Sequence, residues 1–295
     1  MVRLCITIFL ILKFLVDFLK NIMYNSYIKN EMEIIMKFGM PTLVECSDIR
    51  ECCDVARSCG LDFVELNMSF PQYQPQSLDV DTVSALMSET GLFFTIHADE
   101  MLNPFDFNDK VSACYFDTMR DTLRFARALR IPVINMHLLK GVYVTLPGKV
   151  ILLNDVYREK YIEKVRQFIK MCEEELDGSD TVIAIENVDS NPFTESQLDA
   201  LSLFMNSSRF ALTLDTGHEL CLGFVDSFVF DKYPDRLVHM HLHDARGKSA
   251  HLPLGSGDVD IKAKMSLLHN NQTCLIEVKT IAGLRESVEY LKIHK

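Results

Sequence analysis

The amino-acid sequence predicts an α/β fold, a single closed (β/α)8 barrel whose active site lies at the C-terminal ends of its strands. Three observations predict it. From Lys37 onward the chain alternates eight times between a short apolar run and an amphipathic one, and strict alternation implies a parallel sheet. Six of the runs stop on a side chain able to bind metal: FFTIH at His97, VINMH at His137, VIAIE at Glu186, ALTLD at Asp215, VHMH at His241 and CLIE at Glu277. The gaps between these residues are 40, 49, 29, 26 and 36 positions, each about one strand–helix unit. An open doubly wound sheet gathers its ligands at one switch crevice, whereas polar tips on six successive strands suit a closed barrel.

Each element has its own signal. KFGMPTLVE starts the first strand at Lys37, and Ser47-Asp48 follows as a helix start, since their side-chain oxygens can accept the free amides of a first turn. DFVELNM and FFTIHA are the second and third strands, and their near-continuous apolar character marks strands covered on both faces. The next helix is VSACYFDTMRDTLRFARALR, with Val111, Cys114, Met119, Leu123 and Ala126 at three-and-four spacing. PVINMHL and TVIAIENV are the fourth and fifth strands, and Thr194-Glu195-Ser196 opens the helix after them. FALTLDTG, LVHMHLHD and TCLIEVK complete the ring. No Pro/Gly/Ser linker and no low-complexity stretch interrupts residues 36–295, so one domain is expected there. Its length of about 260 residues is close to the ~250 typical of such barrels.

Residues 1–35 read differently. MVRLCITIFLILKFLVDFLKNIMY begins basic and runs apolar from Leu4 to Leu12, but Lys13 and Asp17 interrupt it and no small-residue cleavage site follows. It is too short and too charged for a membrane span, which needs about 20 apolar residues, although an interfacial amphipathic anchor fits it. The expectation is a mis-called start, with translation beginning at Met36: Met32-Glu33 is encoded by a purine-rich stretch about six nucleotides upstream, as a ribosome-binding leader would be.

The net charge of −11, with 48% hydrophobic and 24% charged residues, describes a globular chain with enough apolar residues for a full core. It argues against nucleic acid as the main partner, because phosphate-backbone affinity comes from clustered Lys and Arg. Nine cysteines with no CxxC pair and no regular framework point to free thiols in a reducing cytoplasm. No stable membrane association is expected. Barrels of this kind often form homo-oligomers, but no repeat or heptad here marks an interface.

Glu186, Asp215, His241 and Glu277 combine three carboxylates with an imidazole, a hard, oxygen-rich set that suits Mn²⁺, Mg²⁺, Co²⁺ or Zn²⁺ with positions open for substrate. His97 and His137, from adjacent strands, complete a second metal site if Glu186 bridges, and their nitrogens favour zinc. His218 in LDTGHE and His251 in the loop HLPLGSGD are placed to hold a third ion or to touch substrate. A lone strand-end His is more often a hydrogen-bonded rim residue, and a lone Glu after a strand is usually solvated. Six in succession outweigh that reading for the quartet, while His97 and His137 stay divided between ligand, substrate contact and rim. His239 faces the same side as His241 one layer deeper and reads as a buried structural histidine. His243 shares that side where the strand gives way to loop; His269 and His294 are expected on helices, solvated. Lys140 and Lys279 stand just beyond strand ends, either binding a substrate phosphate or carboxylate or simply solvated. Asn187 points to the side of its strand opposite Glu186.

FTIHA, VINMH, IAIEN, LDTGHE, HMHLHD, HLPLGSGD and LIEVK, in this order, resemble the xylose-isomerase-like TIM-barrel superfamily, which contains sugar isomerases, epimerases and the type-IV apurinic endonucleases. The resemblance covers nearly everything from Met36 onward. It implies that Glu186, Asp215, His241 and Glu277 match the metal quartet of the ketose epimerases, that Glu186 and Glu277 also form the acid/base pair, and that His218 and Arg246 contact substrate. On the endonuclease pattern His97, His137, Glu186, Asp215, His218, His241, His251 and Glu277 would all be zinc ligands. The Asp which that pattern places two residues before His251 is here Ser249, leaving a third zinc with two protein ligands.

The expected activity is isomerisation or epimerisation of a small sugar or sugar phosphate. One carboxylate removes the proton next to a metal-chelated carbonyl, a cis-enediolate forms, and the other carboxylate returns a proton to the same carbon or its neighbour. The rival is zinc-dependent cleavage of abasic DNA, favoured by His97 and His137 and opposed by the acidic charge and Ser249. A cyclitol dehydratase shares the proton abstraction, and a sugar-binding barrel without turnover shares the fold. The loops carry no residue pattern that names the sugar.

Overall fold

The computed structural model describes residues 36–269 and 272–294; the segment 1–35, with its expected mis-called start, lies outside the described residues. Eight parallel strands close into the predicted barrel: β1 (Lys37–Pro41), β2 (Phe63–Asn67), β3 (Phe93–His97), β4 (Val133–His137), β5 (Val182–Glu186), β6 (Phe210–Asp215), β7 (Leu237–Leu242) and β8 (Thr273–Ile276). β1 closes the ring by pairing with both β2 and β8, Gly39 opposite Phe63 and Lys37 opposite Thr273. Each strand stops one to four residues before its apolar run does. Of the leftover apolar residues Leu43, Leu138 and Val278 are buried beyond the strand ends, whereas Val44 is exposed.

Local chemistry starts the helices. Asp48 accepts the Glu51 amide ahead of α1 (Ile49–Ser58), and Asp79 accepts the Thr82 amide ahead of α2 (Val80–Thr90). α3 (Asp109–Leu129) is the long helix expected after β3, and α4 (Arg158–Glu175) follows β4. Thr194 and Gln197 form a capping box at α5 (Glu195–Phe204). α6 (Thr216–Leu222) springs directly from β6, with Asp215 as its N-cap. The short α7 (Ser227–Lys232) and α8 (Ile261–Met265) precede α9 (Ile281–His294). Between helices and ring the aromatic residues Phe105, Phe168, Phe204 and Phe210 pack edge-on or tilted at centroid distances of 4.6–6.5 Å.

Inside the ring the layers change character. At the floor Phe63 lies over Gly39, where a Cβ would stand 2.3 Å from the ring, and stacks on Phe93 at 5.0 Å. Val133, Ala184 and Ala211 form an apolar cluster. The alternation of strand side chains then brings in a buried polar layer of Glu65, Thr95, Asn135, Thr213 and His239.

The structure corrects several expectations. Two antiparallel hairpins were not anticipated, Tyr143–Leu146 with Lys149–Leu152 after β4 and Asp244–Arg246 with Ser249–Leu252 after β7. The first two residues of HLPLGSGD are therefore strand, and His251 belongs to the second hairpin. His269 is exposed but follows α8 instead of lying on it, whereas His294 is on α9, stacked on Tyr290 at 4.1 Å. All described cysteines are free. Among the described residues no helix is long and apolar enough to cross a membrane.

Candidate metal centre

The strand ends bring the quartet together. Glu186 closes β5, Asp215 closes β6, His241 lies in β7 and Glu277 follows β8. One ligand-type atom from each lies within 4.8 Å of the others, and all four residues are buried. His241 Nδ1 is the focus, 3.2 Å from Glu186 Oε1, 3.1 Å from Glu277 Oε2 and 3.9 Å from Asp215 Oδ2. The other oxygen of Glu186 faces the opposite way, 3.5 Å from His97 Nε2 and 3.2 Å from His137 Nε2. Glu186 thus offers one oxygen to each histidine group, and Asn135 donates to its Oε2 as well.

The electrostatics follow from burial and these contacts. Burial pushes the Glu186 carboxyl up, but the imidazoles of His241 and His137 outweigh it and hold the group well below the usual carboxylate range. At Glu277 burial is likewise overcome, by His241 and then Lys279. Burial disfavours a charged His241, yet Glu186, Glu277 and Glu65 raise it well above an ordinary imidazole. The same balance carries His97 up to about 9, with Glu186 as the main opposing charge. In His251 burial wins and drives the ring down to about 4.

Two residues that hold the centre in place are outside the predicted site. Glu65, in the middle of β2, bridges two histidines of β7: Oε1 is 3.2 Å from His241 Nε2 and Oε2 is 3.1 Å from His239 Nε2. Thr95 donates to the same Oε2 at 2.9 Å. The only sequence signal was a carboxylate inside an apolar run. Asn187, on the side of its strand opposite Glu186, clamps the next strand end: its side chain donates to the Asp215 carbonyl at 3.0 Å and accepts the Asp215 amide at 2.8 Å. His239 is the buried structural histidine expected, donor or acceptor to Thr273 Oγ1 at 2.6 Å.

His218, His243 and His251 form a further group, with ligand-type atoms within 4.8 Å of one another. His243 was not predicted as a member. His218 Nδ1 also lies 3.4 Å from Asp215 Oδ2 and 3.6 Å from Glu186 Oε1, so its ring borders the quartet. Above the centre opens a cleft of about 540 Å³, lined among others by Asn103, Tyr115, Lys140, Asp189, Asn191 and Lys279. A second lobe of about 350 Å³ is reached past Thr42 and Phe70 and shares His97, Glu100, His251 and Glu277 with the first. Lys140 lines the cleft with its ammonium 5.2 Å from the Tyr143 ring centre. Lys279 is half exposed and pairs with Glu277 Oε1 at 2.7 Å. Arg246 is not brought to the cleft: it is exposed on the second hairpin, donating to the Ser256 carbonyl and 3.6 Å from Asp258.

The donor set fits a divalent cation. Three carboxylates out of water repel one another unless a positive charge sits among them. Glu277 Oε2 is buried and, although near His241 Nδ1, makes no well-directed hydrogen bond. Carboxylate oxygens with an imidazole nitrogen suit Mn²⁺, Co²⁺ or Zn²⁺.

A family profile described as "Xylose isomerase-like TIM barrel" matches residues 53–294. No curated protein sequence matches the chain. Among solved structures, a D-tagatose 3-epimerase-like protein superposes with a TM-score of 0.69 at 21% identity, over 88% of this chain and 97% of that one. The 3-keto-D-glucoside 4-epimerase YcjR from E. coli gives 0.68 at 16% identity, over 88% and 99%. The IOLI protein, crystallised with a zinc atom, gives 0.67 at 14% identity, over 88% and 97%. At these identities the likeness is one of fold.

Proposed function

The chain belongs to the xylose isomerase-like TIM barrel family, and from that premise we propose that it is a divalent-metal-dependent sugar isomerase or epimerase, with Glu186, Asp215, His241 and Glu277 as ion ligands. The observation that carries this reading is the buried convergence of three carboxylates on one imidazole nitrogen beneath an open polar cleft. The epimerases among the similar folds and the zinc of the IOLI structure support it.

A bound divalent cation would supply Lewis-acid polarisation of a substrate carbonyl. The chain's own residues supply the proton transfers. Glu186 from β5 and Glu277 from beyond β8 both approach His241 Nδ1, at 3.2 and 3.1 Å. Both are held charged, as a base must be; one takes the proton beside the carbonyl and as the resulting acid can hand it to the neighbouring carbon, or the other, once it has itself taken a proton from solvent, returns that proton to the same carbon. Lys279 keeps Glu277 Oε1 anionic, and with Lys140 it offers ammonium donors to sugar hydroxyls or a phosphate. His218 and His251, at the cleft wall, are placed to bond substrate oxygens.

A second reading, metal-dependent phosphodiester hydrolysis, draws on His97 and His137 facing the outer oxygen of Glu186. The net charge of −11 opposes it. Elemental analysis of the full chain purified without chelator, followed by NMR detection of solvent deuterium entering free and phosphorylated ketoses, separates the two. About one ion per chain with exchange of the C–H next to the carbonyl is the expected result. Cleavage of abasic DNA with no exchange would install the second reading. A chain that takes up no ion after reconstitution overturns both.

A further inference from the structure

His243 is fully buried, two residues past His241, and both of its ring nitrogens are engaged. The backbone amide of His251 donates to Nδ1 at 2.9 Å, and a nitrogen that accepts a hydrogen bond carries no proton. The proton of the neutral ring is therefore on Nε2. That atom lies 2.9 Å from Oδ1 and 3.0 Å from Oδ2 of Asp215, and donates there. The Asp244 carbonyl, 3.2 Å from Nδ1, would suit the opposite tautomer. That tautomer, however, sets one N–H against another at His251 and turns a bare nitrogen lone pair toward a carboxylate. Both strong contacts select the same proton position.

The surroundings are shaped around this ring. At Gly217 a Cβ would stand 2.0 Å from His243 Cε1 and 2.2 Å from Nδ1, so only glycine admits the imidazole beside the start of α6. Thr216 Oγ1 fixes the backbone of His243, accepting its amide at 3.3 Å and donating to its carbonyl at 3.0 Å. His251 holds a φ of +55°, a left-handed conformation disfavoured for any residue with a Cβ, and its ring lies 4.2 Å from that of His243. On Asp215, the His218 amide also donates to Oδ1 at 2.7 Å. Oδ1 thus takes the His218 amide together with His243, while Oδ2, which shares the His243 contact at 3.0 Å, is the oxygen turned toward the rings of His218 and His241.

We propose that His243 is a positioning residue for the metal centre: locked as its Nε2–H tautomer by the hairpin amide of His251, it holds Asp215 so that Oδ2 is presented to the cation. The assignment rests on the metal reading above. A relay of amide, imidazole and carboxylate then links the second hairpin to ion binding, in the way outer hydrogen bonds orient metal ligands generally. It also removes His243 from the group with His218 and His251 as a ligand, because neither of its nitrogens is left for an ion.

The test compares full-length His243→Gln and His243→Asn in Co²⁺ affinity, ion stoichiometry and the visible absorption of the bound cobalt. A glutamine amide reaches about as far as Nε2 and can donate to Asp215; an asparagine amide reaches only the His251 side. Expected is a loss of roughly 10- to 100-fold in affinity with an altered cobalt spectrum for Asn, with Gln within about threefold of wild type, both at wild-type stoichiometry. Equal affinity in all three proteins overturns the proposal, and so does loss of one ion per chain in both variants, which would make His243 a ligand. If neither variant folds, ¹⁵N NMR of the wild-type ring decides, with protonated Nε2 and bare Nδ1 expected and the reverse overturning the proposal. A wild-type chain that takes up no cobalt sinks the metal reading itself, whereas normal uptake with unmoved variants sinks only the role of His243.

Discussion

An imidazole can offer a metal only the nitrogen that points at it, and the ring of His241 has its Nε2 3.2 Å from Glu65 Oε1 and its Nδ1 beside the three carboxylates. Glu65→Gln is expected to weaken ion binding by roughly 10-fold or more with the fold retained, as measured by calorimetric titration with Mn²⁺ or Zn²⁺. Glu186→Gln and Glu277→Gln remove a proton acceptor each; kcat in a sugar interconversion assay should fall by about 10²- to 10⁴-fold. The strand-end residues were legible in the sequence because a charged or imidazole group ending an apolar run breaks the pattern. Glu65 was not, because a carboxylate between Val64 and Leu66 shows its partners only when the ring is closed and β2 faces β7 across it. The place of Arg246 was hidden for a related reason: it lies in a hairpin opposite Ser249, where its side chain meets Ser256 and Asp258 and is not part of the cleft lining.

Among the elements, the stretch after β7 depends on one side chain. Asp244 accepts the amides of Ala245, Gly255, Gly257 and Val259 at 2.8–3.0 Å, and at Gly257 a Cβ would stand 2.3 Å from its Oδ1. Asp244→Ala strands these donors, so urea unfolding should show a loss of about 2–3 kcal/mol, with faster proteolysis at residues 253–259. The helix starts at Asp48 and Thr194 were readable because a cap is a local bargain between one side chain and the next turn. The hairpins were not, since strands of three or four residues carry too little pattern and owe their form to the partner strand. α6 was hidden because Asp215 ends a strand and caps a helix at once.

For the molecule as a whole, alternation of apolar and amphipathic runs was enough to give the barrel, while the filling of its interior had to be seen. Gly39→Ala would drive a methyl group into Phe63, and thermal melting should report a cost of about 1–3 kcal/mol. Thiol accessibility checks the same packing: Cys114 is exposed and should react with a disulfide reagent in the native state. Cys52, Cys53, Cys172 and Cys274 should react only on unfolding, with burial pushing the Cys53 thiol up to about 12. Ring closure also sets a schedule. Every residue of the proposed quartet comes from β5 onward, and the seam joins β1 to β8, so during synthesis on the ribosome β1 and β7 each keep a bare edge until Thr273–Ile276 has emerged. Glu277 arrives one residue later. A growing chain therefore holds no complete quartet, and the moment at which the last carboxylate docks is also the moment at which the barrel ceases to have an edge for another chain to join.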